Sequence, residues 1–303
     1  MRKINAFTLI ELLVVIAIIG ILSALIIVGM SSTTQKATIA KAQVFSHSLD
    51  GSLMPSKVSE WNFNSLSGTV DQDISSAANF VIDSWGNNHG TATGTPDLKD
   101  GANCITGKCL NFNGSTDYID CGNSANLNNY NQITISAWVY VTSSDSRRLI
   151  AEKHTSGAGN AGWWFAREQD NKLILIVVGS TTRYAESTVN VPINTWVLAT
   201  TTYNGTNVKT YINGIDYTGS QQGTGSGPII NSANTLVLGI GRWTGGYFYG
   251  SMDDVRIYSE AIPTSQIQQN YYAGLNKLFT KKGIEISEYQ NRLAELKSNY
   301  AQN

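Results

Sequence analysis

Ile133-Thr134-Ile135-Ser136-Ala137-Trp138-Val139-Tyr140-Val141 alternates aliphatic residues with polar or aromatic ones at a period of two. Successive side chains of a strand point to opposite faces, so this stretch predicts a strand with one face on a core. Runs of similar character cover residues 148–153, 162–167, 172–179, 196–203, 207–212, 236–243 and 247–258. Asn204-Gly205 and Asn213-Gly214 mark hairpins, because both residues tolerate positive φ. Many short strands with no helical period between them predict a mainly β fold, a two-sheet antiparallel sandwich over residues 61–262.

Away from the strands the chain has two other textures. Residues 7–28 are 22 positions with a single charge, Glu11. As a helix they would extend about 33 Å, enough for a bilayer core. Arg2 and Lys3 precede this run, so the positive-inside asymmetry places everything after it on the far side of the membrane. A secretory signal peptide has the same basic start, but its apolar run is shorter, about 7–15 residues. Nor does a signal peptide account for Glu11, since an acid in a spanning helix costs ~2.5–3.5 kcal/mol near the centre. The helical reading continues through residues 31–54, where Ile39, Ala42, Phe45, Leu49 and Leu53 form a stripe that ends at Pro55. After Pro263, Ile267, Tyr271, Leu275 and Leu278 share one helix face. Ser287 and Gln290 predict a capping box for a second helix carrying Tyr289, Leu293, Leu296 and Tyr300.

Phe7-Thr8-Leu9-Ile10-Glu11-Leu12-Leu13-Val14-Val15-Ile16-Ala17-Ile18-Ile19-Gly20-Ile21-Leu22 resembles the cleavage and methylation motif of type IV prepilins and type II secretion pseudopilins. The resemblance implies a leader at residues 1–6, cut by a prepilin peptidase between Ala6 and Phe7, with N-methylation of Phe7. Family members usually carry Gly before the cut; this chain has Ala6. Cleavage creates an amine at Phe7 four residues from the Glu11 carboxylate, in a medium that penalises either charge alone. In a filament, Glu11 of one subunit would pair with the Phe7 amine of its neighbour. The implied organisation is leader 1–6, membrane and assembly helix 7–30, helix extension and linker 31–57, head 58–262 and helical tail 263–303. The implied partners are other pilin subunits, the peptidase and the membrane. The implied location is a single-pass membrane protein, then a cell-surface filament, or a periplasmic one for a pseudopilin.

The head also resembles the LamG-like jelly rolls of the concanavalin A-like superfamily. The resemblance is carried by Trp61-Asn62-Phe63, residues 83–92 (DSWGNNHGTA), Leu110-Asn111-Phe112-Asn113-Gly114, Asp117-Tyr118-Ile119, the strand at 133–141, Thr210-Tyr211-Ile212-Asn213-Gly214 and residues 250–258 (GSMDDVRIY). It implies a fold more than an activity, since jelly rolls of this kind serve lectins, adhesins, hydrolases and spacers.

The chemistry in the head is sparse. Glycosidases of this fold carry paired acids on one strand, but Glu152, Glu168, Glu186 and Glu260 stand apart in the sequence. His47, His89 and His154 are isolated. The expectation is therefore a protein that is not an enzyme. Charged residues make up 14% of the 303 positions and the net charge is -1, which argues against a nucleic-acid partner. Asp253 and Asp254 are consecutive on a strand, so one should face inward. Either a structural calcium held by Asp83 and Asp254, or backbone bonding of Asp254 with Asp253 solvated, accounts for them. Trp163, Trp164, Trp243, Tyr247 and Tyr249 are candidate sugar contacts; the partner would be a glycan or a surface protein. Of three cysteines, Cys104 and Cys109 share a short Gly-containing loop and are expected to pair, leaving Cys121 free.

Overall fold

The computed structural model describes residues 56–66, 80–143, 146–242 and 246–300, and all of them belong to one compact unit. The N-terminal helix, the cleavage site at Ala6 and Phe7, Glu11 and the stripe at 39–53 lie outside the described residues. Among those described, no helix is long and apolar enough to cross a membrane.

Two antiparallel sheets form the unit. The eight-stranded sheet runs Ile215–Asp216, Val208–Ile212, Trp196–Tyr203, Ile133–Val141, Tyr249–Tyr258, Lys108–Asn113 and Asp97–Asp100, with Lys57–Trp61 also paired to Tyr249–Tyr258. The nine-stranded sheet runs Gln222–Gly223, Thr182–Asn190, Lys172–Val178, Ala161–Arg167, Arg148–Thr155, Val237–Leu238, Tyr118–Asp120, Gly90–Thr93 and Phe80–Val81. Their facing sides make the main core: Ile133, Ile135, Ala137, Val139 and Val141 meet Ile150, Trp163, Phe165, Leu175 and Val177. At Asn213-Gly214 both residues take positive φ, 55° and 80°, and turn the chain from Val208–Ile212 into Ile215–Asp216.

The central strand departs from the sequence expectation on its second face. Thr134, Ser136 and Trp138 are buried as fully as the aliphatic positions between them. Ser136 Oγ lies 2.9 Å from Thr200 Oγ1 on the next strand, and Thr134 Oγ1 donates to the Glu260 carbonyl at 2.6 Å. What covers this face is the C-terminal tail, helices Thr264–Thr280 and Ile286–Tyr300. Tyr271 stacks on Trp138 with ring centroids 5.7 Å apart, and Leu275 and Leu278 join Trp138, Trp196 and Leu198 in a second cluster. Each large apolar side chain buried this way contributes ~1.5–3 kcal/mol. Gly274 allows the approach, since a Cβ there would lie 2.3 Å from Cζ2 of Trp138. The second helix begins at Ile286, so Ser287 sits inside its first turn and does not cap it; the Glu285 carbonyl accepts from the Tyr289 amide at 3.0 Å.

Two further differences concern strands. The run at 236–243 contains a strand of only two residues, Val237–Leu238. Conversely, Thr182–Asn190 is a nine-residue strand whose polar, largely solvent-facing sequence gave no alternation to read.

Candidate functional site

Cross-strand register on the nine-stranded sheet aligns residues that are remote in sequence. Asp120 pairs with Val237, Val237 with Glu152, Glu152 with Trp164, Trp164 with Ile176, and Ile176 with Tyr184. The neighbours of these residues along each strand, such as Ile119, Ala151, Phe165, Leu175 and Ala185, face the main core, so this row lies on the outer face. Trp164, Ile176 and Tyr184 are partly open to solvent around buried Leu149, Ala166 and Ile174. His154 lies beside Trp164 with ring centroids 4.5 Å apart, and its Nε2 is 2.8 Å from Asn160 Oδ1. Burial lowers the His154 pKa, and the Asn160 contact opposes that shift.

The acidic end of the row is organised by Arg242. Its Nη2 donates to Asp120 Oδ2 at 2.7 Å, and its backbone amide donates to Glu152 Oε1 at 3.2 Å. Thr235 Oγ1 adds a donor to the same Asp120 oxygen at 3.0 Å. Glu152 is 3% exposed, and burial pushes its carboxyl up to about 7, only partly offset by the Arg242 amide and the charges of Arg242 and Arg147. The row thus presents aromatic surface next to a carboxyl poised near neutrality and a carboxylate fixed by an arginine.

Of the sugar-contact residues expected from the sequence, the structure brings only Trp164 into this row. Trp163 turns the other way, 2% exposed within the main core, because adjacent strand residues face opposite sides. Tyr249 stands on the other sheet, with the Arg148 guanidinium 5.6 Å from its ring centre, and the Tyr247 carbonyl accepts from Arg148 Nη1 at 3.1 Å. Trp243 lies outside the described residues. Asp120, Glu152, Tyr184 and Arg242 were missed: they become neighbours through strand register alone, and no local spacing signals them.

Asp83 and Asp254 do not fit a shared calcium site. Asp83 Oδ1 accepts the amides of Glu60, Trp85 and Gly86 at 2.8–3.0 Å, and Oδ2 accepts that of Asn88 at 3.1 Å. Its carboxylate is the hub of a turn. Asp254 Oδ2 lies 3.2 Å from Arg256 Nη2 and its Oδ1 accepts from Thr106 Oγ1 at 3.2 Å. Asp253, expected in solvent as one alternative, is wholly buried and accepts the amides of Ile105 and Thr106 at 2.9 and 2.8 Å. A bulge at Asp253–Arg256, with Asp254 at φ 47°, brings both acids onto Thr106 instead of splitting them between faces. Among the described residues no three His, Cys, Asp or Glu side chains converge as a metal site.

Cys104 and Cys109 form a disulfide, and Cys121 is a free, buried thiol whose pKa is raised by burial and by the nearby Asp120 and Asp83 charges. The disulfide loop supports the tail cluster: Asn103 offers its carbonyl to Trp196 Nε1 at 3.1 Å.

A laminin G-type model described as the concanavalin A-like lectin/glucanases superfamily matches residues 113–268, just over half of the chain. The chain belongs to that superfamily. A model of the prokaryotic N-terminal methylation motif matches residues 1–27, so this superfamily member carries a type IV prepilin signature at its start. No curated protein matches the chain. Among solved structures, the chain is similar to the binding domain of Paraclostridial Mosquitocidal Protein 1, at 16% identity and TM-score 0.53 over 72% of this chain and 52% of that one. It is also similar to the receptor binding domain of botulinum neurotoxin C/D mosaic serotype, at 17% identity and TM-score 0.51 over 72% and 51%. Trypanosoma rangeli sialidase matches at 12% identity and TM-score 0.51 over 72% and 32%. The superfamily member thus spans about half the length of the two binding domains, and these likenesses concern the fold.

Proposed function

We propose that this chain is a structural subunit of a type IV pilus or type II secretion pseudopilus, assembled through residues 7–30 and displaying the sandwich as its head. The methylation motif at residues 1–27 carries this reading. The leader ends at Ala6, Phe7 becomes the methylated first residue, and Glu11 pairs with the Phe7 amine of the preceding subunit. Removing one member of a charge pair in lipid leaves the other uncompensated, which is why assembly should hinge on Glu11. The test is shearing of cells that express Glu11→Gln: the proposal expects the variant to stay in the membrane fraction while wild type appears in sheared filaments. Equal release of both would overturn the pairing.

A second reading makes the chain a minor pilin or membrane-anchored adhesin, with the head binding a glycan or a protein. The row through Trp164 and Tyr184 supports it, because flat aromatic faces beside fixed polar groups suit sugar rings. The same row supports a role other than catalysis, since Asp120 is engaged by Arg242 and Thr235 while Glu152 is enclosed. Subunit abundance separates the readings: a major subunit dominates sheared filaments and a tip adhesin is scarce in them.

A further inference from the structure

The turn that joins strands Asp97–Asp100 and Lys108–Asn113, at one edge of the eight-stranded sheet, is closed by the Cys104–Cys109 disulfide. Both half-cystines are wholly buried. They share one apolar cluster with Trp138, Trp196 and Leu198 of the sheet and Tyr271, Leu275 and Leu278 of the tail. Leu110, the next residue along the strand, faces the main core instead. The disulfide therefore belongs to the contact between tail and sheet, not to the core between the two sheets.

Each side of the turn is held separately. On the sheet side, the buried Asp253 carboxylate accepts the amides of Ile105 and Thr106 at 2.9 and 2.8 Å. Toward the tail the backbones come so close that a Cβ at Gly283, between the two helices, would lie 2.8 Å from the Ala102 carbonyl oxygen. The Asn103 carbonyl also fixes the Trp196 indole at 3.1 Å. The two strands keep their own pairing from Asp97–Asn111 to Asp100–Lys108, so their register does not need the bond. A cross-link between residues five apart closes a short loop and restrains the unfolded chain less than a long-range one would. Its effect is concentrated where the sulfurs pack, since opening it puts two thiols into the tail cluster and frees the turn on which the tail rests. We propose that this disulfide is a redox latch for the C-terminal tail. Oxidised, it holds the turn in the shape on which helices Thr264–Thr280 and Ile286–Tyr300 dock; reduced, it releases them while the sandwich stays folded. The closing step takes two electrons and two protons from the Cys104 and Cys109 thiols and passes them to the disulfide of an oxidising partner, which leaves as a dithiol. A dithiol reductant runs the step backwards. Thiols persist in a reducing cytoplasm and pair outside it, so the tail locks only after export. That timing rests on the exported head proposed above; the latch does not. Cys121, buried in the main core, takes no part.

The experiment is hydrogen exchange, read by mass spectrometry, on the full-length protein in detergent micelles. Three forms are compared: oxidised protein, protein prepared throughout in excess dithiothreitol, and a Cys104→Ala, Cys109→Ala double variant. Alkylation in denaturant should count one thiol in the oxidised form and three in the reduced one. In the reduced form and the variant, amides of Thr264–Thr280 and Ile286–Tyr300 should exchange roughly tenfold faster, the loss of one or two contacts. Those of Lys172–Val178, on the other sheet, should keep their rates. Reoxidation with glutathione disulfide should restore slow tail exchange in the reduced protein. Unchanged tail exchange in the double variant, or in protein whose thiol count shows it reduced, overturns the latch. Equal acceleration in the tail and in Lys172–Val178 overturns it too, by making the bond a staple of the whole head. So does a failure of the reoxidised protein to recover.

Discussion

Glu60 and Glu152 are both enclosed acids on sheet strands, yet their surroundings drive them in opposite directions. Burial alone would raise Glu60, but Arg256 at 2.7 Å and Lys57 at 3.0 Å hold its pKa at about 2. An unfolded glutamate titrates near 4.3, so the stabilisation from Glu60 is complete above that pH and is lost as pH falls toward about 2. Glu60→Gln should therefore cost on the order of 3 kcal/mol at pH 7 and progressively less below pH ~4. Denaturant titrations at both pH values check this; a pH-independent difference would contradict it. For Glu152 the sign reverses, since burial raises its pKa to about 7. The folded state then holds a proton that the unfolded chain has released, and stability declines as pH rises from ~4.3 through about 7. Glu152→Gln, which is neutral throughout, should melt higher than wild type at pH 8 and show no gain at pH 4. Melting curves that differ equally at both pH values would show that Glu152 is not held protonated.

The tail helices show how much an element's role depends on what it packs against. Their apolar face at Ile267, Tyr271, Leu275 and Leu278 was legible from spacing alone, and all four residues are buried. Their partner was not legible, because the alternation of residues 133–141 looks the same whether the polar and aromatic face meets water or a helix. Trp138 is the residue that decides, and only its stacking on Tyr271 reveals the cover. Gly274 provides the test at this scale. Alanine is favoured over glycine in a helix by ~1 kcal/mol, yet overpacking a well-filled contact costs ~1–3 kcal/mol. With a rigid indole where the new methyl would sit, Gly274→Ala should destabilise the head; a rise in melting temperature would mean the tail does not pack on Trp138. Thr182–Asn190 escaped the sequence reading for the opposite reason. Seven of its nine residues are partly or fully exposed, the last three fully, and its sequence TRYAESTVN lacks an apolar stripe. The row from Asp120 through Glu152 and Trp164 to Tyr184 exists only through pairing, so sequence inspection recovered Trp164 by residue type and none of the others.

At the scale of the whole molecule, the chain joins a prepilin signature at residues 1–27 to a superfamily sandwich matched at residues 113–268. Both were readable in the sequence because each rests on a long ordered motif, not on a few side chains. A pilin-like subunit carrying this head must lose its first six residues. The most direct measurement is the intact mass and N-terminal sequence of the protein recovered from its native membrane or from sheared filaments. The mature chain is expected to begin at a methylated Phe7. A chain that retains Met1 would contradict this expectation and leave a single-pass anchored surface protein in its place.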